Sequence, residues 1–183
     1  MDNLVKNLRK SFASNETKSL KWRKDQLLAV QRLVNENKQE LCSALKQDLN
    51  KPDHETTVME FGIIENSITY MLKNLSSFME LQKVNPIVQA RAIYTTYIQY
   101  QPLGVVLVIG AWNYPYQLLL VPLIGALASG NCVVVKPSEL APKSSQLLEK
   151  LWPKYFDSNF VALVEKNAFC LNYYILLIFM IAF

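Results

Sequence analysis

Two short polar clusters stand out in this 183-residue sequence, Gly110-Ala111-Trp112-Asn113-Tyr114-Pro115 and Lys136-Pro137-Ser138-Glu139. The carboxamide of Asn113 is a neutral donor directly after an apolar run, suited to stabilising a developing oxyanion. Lys136 and Glu139 offer one donor and one acceptor three positions apart, a pair that could hold the two hydroxyls of a ribose. They begin 26 positions after Gly110, roughly where dinucleotide-binding folds place the group that recognises the adenosine ribose. Each cluster also has a plain structural alternative. Asn113 could be only a turn residue, and Lys136 with Glu139 only an ion pair at a helix start, where Glu139 favours the dipole. The phosphate-gripping glycine turn GxGxxG is absent from both.

Other chemistries find little footing. The three cysteines, Cys42, Cys132 and Cys170, are far apart and form no CxxC, which points to free thiols in a reducing compartment. His54, in the polar run KPDHE, is the sole histidine. That argues against a His-rich metal site, so no metal is expected, and against a catalytic dyad built on histidine.

The elements around the clusters follow from hydrophobic spacing. The first 80 or so residues read as helical. Leu4, Leu8 and Phe12 recur at helical intervals. Ser19 is a candidate N-cap for a run carrying Leu20, Leu27, Val30 and Val34, then Leu41, Ala44, Leu45 and Leu49, broken in two near Asn35-Glu36-Asn37. Pro52-Asp53 opens another helix, with Val58, Phe61, Ile64, Ile68, Leu72 and Leu75 expected on its core face. After Pro86 the character changes. Ala92 to Gln101 is rich in β-branched and aromatic residues and reads as a strand. Val105 to Ile109, Cys132 to Val135 and Phe160 to Val164 read as short buried strands. Helices from about Pro115 to Ala128 and from Pro142 to Trp152 separate them. This order predicts an α/β fold, N-terminal helices followed by a βαβαβ half of a Rossmann-like parallel sheet. In such sheets ligands bind beyond the carboxyl ends of the strands, where both polar clusters fall.

Hydrophobic residues make up 51% of the chain and charged ones 19%, a balance that fits a globular protein rather than a disordered one. The net charge is +4, and up to Lys51 there are 11 Lys/Arg against 6 Asp/Glu. These charges are interleaved with acids and apolar residues at helical spacing, so they read as a solvated helix face, and no nucleic-acid partner is expected. The amphipathic N-terminus MDNLVKNLRK is not a secretory signal. From Ala168 the chain runs 16 residues without a charge. As a helix this tail would measure about 24 Å against a hydrocarbon core of about 30 Å.

The stretch YQPLGVVLVIGAWNYPYQLLLVPLIGALASGNCVVVKPSELAP resembles the nucleotide-binding segment of aldehyde dehydrogenases, most closely the class 3 and fatty aldehyde group. The likeness runs from about Asp2 to Glu165. WNYP followed by KPSE at this separation is highly specific. The resemblance implies that Asn113 donates its amide to the oxyanion of a thiohemiacetal. It implies that Lys136 and Glu139 bind the adenosine ribose of NAD or NADP, with the backbone of Ala111 and Trp112 along the cofactor. The reaction it implies is oxidation of an aldehyde, fatty or medium-chain, to a carboxylate through a covalent thioester, with hydride transfer to nicotinamide.

The resemblance also implies parts that this sequence does not show. Relatives continue past the third strand with glycines, a GSTxVGK-like turn, a glutamate base and a cysteine nucleophile. Here Glu165 leads instead into Lys166-Asn167 and the apolar tail. We therefore expect residues 1–165 to form the helices and a partial NAD(P)-binding domain, and 166–183 a divergent tail. Alone, the chain is expected to be inactive, to bind NAD weakly, and to expose a strand edge that favours self-association or association with a full-length protein. The expected location is cytoplasmic. The competing reading is a non-catalytic interaction protein, anchored at a membrane by its tail.

Overall fold

Ser19 does cap a helix: its hydroxyl accepts a hydrogen bond from the Trp22 amide at 3.1 Å. The computed structural model describes residues 2–84 and 95–164. Ala92–Tyr94 of the expected strand, Glu165 and the apolar tail with Cys170 lie outside the described residues. The helical lead-in comprises α1 (Asp2–Ala13), α2 (Leu20–Glu36) and α3 (Lys38–Leu49), then α4 (Asp53–Thr56), a π-turn (Thr57–Phe61) and α5 (Gly62–Phe78). Asn37 separates α2 from α3, as the sequence suggested. Asn50 ends α3 with φ 54°, a left-handed conformation that asparagine tolerates better than most residues. Its amide closes on the Lys46 carbonyl at 3.0 Å.

The π-turn overturns one expectation. Val58 was placed on the core face, yet it is exposed, as is Met59. A π-turn takes in an extra residue and rotates everything before it relative to α5. The buried positions therefore become Thr56, Glu60 and Phe61, and the regular stripe resumes at Ile64, Ile68 and Leu75. A carboxylate thus enters the core where an aliphatic side chain was expected.

Two strands follow, β1 (Gln82–Val84) and β2 (Thr96–Ile98), paired antiparallel with Lys83 opposite Tyr97. The strand expected over Ala92 to Gln101 therefore ends earlier. β2 extends only as far as its three-residue partner does, and a strand needs a partner to satisfy its main chain. The second sheet is the one anticipated. It contains β3 (Val105–Ile109), β4 (Cys132–Lys136) and β5 (Val161–Leu163), all parallel in the order β3-β4-β5. The crossovers are α6 (Gln117–Ala128) and α7 (Pro142–Tyr155). Helix α6 begins two residues later than the sequence suggested, and α7 runs three residues longer. Strand β5 is trimmed by one residue at each end.

Alternation along the strands separates two apolar layers. Val108, Val133, Val135 and Val161 face the main core with α2, α5, α6 and α7. Leu107, Cys132, Val134 and Ala162 face the other way, onto Leu4, Leu8 and Phe12 of α1. No helix among the described residues is long and apolar enough to cross a membrane.

The basic N-terminal region is not wholly solvated. Arg23 is buried, donating to the Thr17 carbonyl at 3.3 Å and to the Ala128 carbonyl at the end of α6 at 3.1 Å. A cation at a helix C-terminus suits the dipole there. It also dictates the residue that turns the chain into β4. Gly130 has φ +84°, and a Cβ on it would lie 2.7–2.8 Å from the Arg23 guanidinium. Gly130→Ala is therefore expected to cost about 1–3 kcal/mol. Urea unfolding followed by circular dichroism measures this, and a loss below about 0.5 kcal/mol would contradict the account.

Candidate functional site

The two polar clusters lie side by side. β3 and β4 are in register with Ile109 opposite Lys136, and the ladder continues one step, the Gly110 amide donating to the Lys136 carbonyl at 2.9 Å. Both loops thus leave the carboxyl ends of adjacent parallel strands at the same level. Gly110 is small for a reason: a Cβ there would sit 2.9 Å from Cδ1 of Leu119, in the first turn of α6. Glycine lets that helix start directly above the strand end.

In the second cluster, Lys136 Nζ lies 2.6 Å from Glu139 Oε2 and also donates weakly to the Pro137 carbonyl at 3.4 Å. The lysine side chain is only 11% exposed, while that of Glu139 is 47% exposed. The lysine end of the pair is thus buried and the glutamate end about half-exposed. In the first cluster Ala111, Trp112 and Asn113 are exposed, whereas Pro115 and Tyr116 are buried. The five residues singled out from the sequence thus fall at the carboxyl ends of two adjacent strands. Lys136 is the last residue of β4, and the other four lie on the loops that follow.

Three supporting residues went unnoticed in the sequence. Glu60, fully buried, accepts from the Tyr116 and Gln117 amides through one oxygen, at 2.9 and 3.2 Å. Its other oxygen lies 3.1 Å from Lys51 Nζ. Lys51 in turn donates to the Asn113 carbonyl at 2.6 Å and stands 3.7 Å from the Tyr114 ring centroid. Asp48 performs a similar task at α7, accepting from the Lys143 and Ser144 amides at 2.9 and 2.7 Å. Apart from the Lys51–Glu60 pair, nine positions apart, each partner lies 56–96 positions away, beyond the reach of a local reading.

These contacts shape what the site can bind. Helix N-termini commonly receive phosphate groups through their free amides. Here protein carboxylates take amides at the starts of α6 and α7, and their charge opposes a phosphate at either place. This agrees with the missing GxGxxG. What the two strand ends present instead is a Lys–Glu ion pair and an exposed asparagine.

No activated thiol accompanies them among the described residues. Burial pushes the Cys132 thiol up to about 11, and burial, then Asp53 and Glu60, raise that of Cys42. Both behave as core residues. Tyr116 is also kept protonated, chiefly by burial, and donates to the Leu41 carbonyl at 3.3 Å. An open groove of about 280 Å³ between α3 and α7, lined by Glu40, Gln47 and Lys143 among others, touches none of the five predicted residues.

The model of the aldehyde dehydrogenase family matches residues 1–168. An aldehyde dehydrogenase of Craterostigma plantagineum is 45% identical over 166 residues, 90% of this chain and 34% of that protein. Human aldehyde dehydrogenase family 3 member B1 is 41% identical over 160 residues, 87% of this chain and 34% of its own length. Among solved structures, the substrate-bound state of Staphylococcus aureus AldH superposes with a TM-score of 0.86 at 32% identity, covering 90% of this chain and 36% of that one. The NAD+ complex of an aldehyde dehydrogenase from Bacillus cereus gives 0.74 at 26%, covering 90% and 33%. The chain spans about a third of the length of these relatives. With the family model matched over most of its length and family 3 members among its relatives, the chain belongs to the aldehyde dehydrogenase family.

Proposed function

We propose that this chain carries the adenosine-binding and oxyanion-stabilising parts of an NAD(P)-dependent aldehyde oxidation. The observation that carries the reading is the Gly110–Lys136 main-chain hydrogen bond, which sets the Asn113 loop beside the Lys136–Glu139 pair. NAD or NADP, when bound, supplies the hydride acceptor. The donor set fits its ribose: Lys136 donates to one hydroxyl, and Glu139 accepts from the other. A carboxylate there favours the 2′-hydroxyl of NAD over the 2′-phosphate of NADP. Ala111 and Trp112 border the cofactor, and Asn113 turns its amide toward the oxygen of a reacting aldehyde. The substrate is an aldehyde of the fatty or medium-chain type. The nucleophile and general base must come from sequence beyond the described residues.

The test joins residues 1–164 to the remaining two thirds of a family 3 relative. The purified 183-residue chain alone is expected to give no NADH from a long-chain aldehyde. The joined enzyme is expected to give it. In the joined enzyme Lys136→Met removes a hydrogen bond from a charged donor, worth about 1.5–3 kcal/mol, so KM for NAD should rise roughly 10- to 100-fold. An unchanged KM would end the ribose assignment, and turnover by the isolated chain would end the division of labour.

A further inference from the structure

We propose that Lys51 and Glu60 are positioning residues for the Asn113 carboxamide, an inference that rests on the reading of Asn113 above. Asn113 itself is exposed, so packing does not hold its side chain. The turn that bears it is held through its main chain instead. At one end the Asn113 carbonyl accepts from Lys51 at 2.6 Å. At the other, the Tyr116 and Gln117 amides donate to Glu60. The two anchoring side chains are themselves paired at 3.1 Å, and their exposures are 11% and 0%. One ion pair therefore grips both ends of a five-residue turn.

The surroundings make the grip rigid. The Lys51 ammonium rests over the Tyr114 ring. Tyr116 stacks on Phe61, the neighbour of Glu60, with centroids 6.3 Å apart and planes at 27°. Pro115 between them has a fixed φ. The Asn113 carboxamide is two side-chain torsions from the carbonyl that Lys51 holds. Any movement of that carbonyl is passed directly to the donor. Misplacing a reacting group by about 1 Å can cost a factor of 10² in rate, so the grip bears on catalysis rather than on folding alone.

The test is nuclear magnetic resonance on the 15N-labelled 183-residue chain. In the unaltered chain the backbone order parameters of Asn113 and Tyr114 should be near 0.85, roughly the value for rigid backbone. In Lys51→Met they should fall below about 0.6. Asp48→Ala, which uncaps α7 and removes neither the Lys51 nor the Glu60 hydrogen bonds to the turn, should leave them unchanged. Glu60→Gln keeps an acceptor for the two amides but turns a donor toward Lys51; it serves if Lys51→Met does not fold, with the same fall expected. Order parameters that stay high in these variants, or fall equally in Asp48→Ala, overturn the proposal. In the joined enzyme Lys51→Met should lower kcat about tenfold and leave KM for aldehyde and NAD within about twofold. A change in KM alone would overturn it too. The resonance measurement needs neither aldehyde nor cofactor. A gripped turn in an enzyme indifferent to Asn113→Ala would therefore fault the catalytic reading and not the grip.

Discussion

Replacing Glu60 with alanine is expected to destabilise the chain by about 3–5 kcal/mol, the usual loss when one member of a buried ion pair is removed. The magnitude follows from what is left behind. Lys51, with its side chain 11% exposed, would keep the Asn113 carbonyl and the Tyr114 ring but lose its carboxylate partner. The Tyr116 amide, buried at the start of α6, would lose its acceptor, and the Gln117 amide would lose its own. A buried donor without a partner carries its full desolvation cost. Repacking offers little relief, because the methyl of alanine cannot reach either donor. Glu60→Gln should fall between the two, since its oxygen can still accept from the amides. The measurement is the urea midpoint at unchanged m-value. A loss under about 1 kcal/mol would mean that water replaces the carboxylate and that the site is less enclosed than its zero exposure implies.

Helix α6 shows why such a residue matters more than its single position suggests. A carboxylate from the π-turn meets its N-terminus, and a guanidinium from α2 meets its C-terminus. Both are buried, and both oppose the end charges of the helix dipole. The helical lead-in thus does more than cover one face of the sheet. It fixes the axial position of the helix that begins just after Asn113, and through Asp48 it does the same for the helix after Glu139. Three acidic or basic residues within Asp48–Glu60 thus hold the Asn113 turn and the start of α7.

How far the sequence reveals this depends on the range of the interaction. The parallel strands are legible because residues buried on both faces leave continuous runs such as Val105–Ile109 and Cys132–Val135. Ser19, with its cap bond three residues on, is legible for the same local reason. Asn113, Lys136 and Glu139 stand out because they are polar residues at the ends of those runs. The π-turn is not legible. Nothing in TVMEF distinguishes it from an α-turn, and reading straight through it put Val58 inside and left Glu60 out. Lys51 was counted with the solvated charges because its carboxylate partner is nine positions on and its carbonyl partner 62 positions away. The strand at Ala92–Gln101 was drawn too long because β propensity records what a residue tolerates, while strand length is set by the partner. Among the described residues that partner is Gln82–Val84, and β2 ends at Ile98, opposite Gln82.

The second large effect concerns Asn113 itself. In the enzyme joined to the remaining two thirds of a relative, Asn113→Ala is expected to lower kcat by about 10²–10³, the loss typical of removing one oxyanion donor. KM for aldehyde should change little, because an uncharged carbonyl gains much less from the donor than the oxyanion that forms from it. Stability should also change little, since the side chain is exposed and its main-chain bond to Lys51 survives the substitution. This pattern separates the two readings that the sequence left open. If Asn113 served only to make the turn, alanine would lower the melting temperature and spare kcat. A donor role predicts the reverse. Asn113→Asp sharpens the contrast. Its shape is nearly the same and it makes turns equally well, yet its carboxylate would face the developing negative charge. It should be at least as damaging to kcat as alanine, and an aspartate variant retaining most of its turnover would leave Asn113 no part in the chemistry.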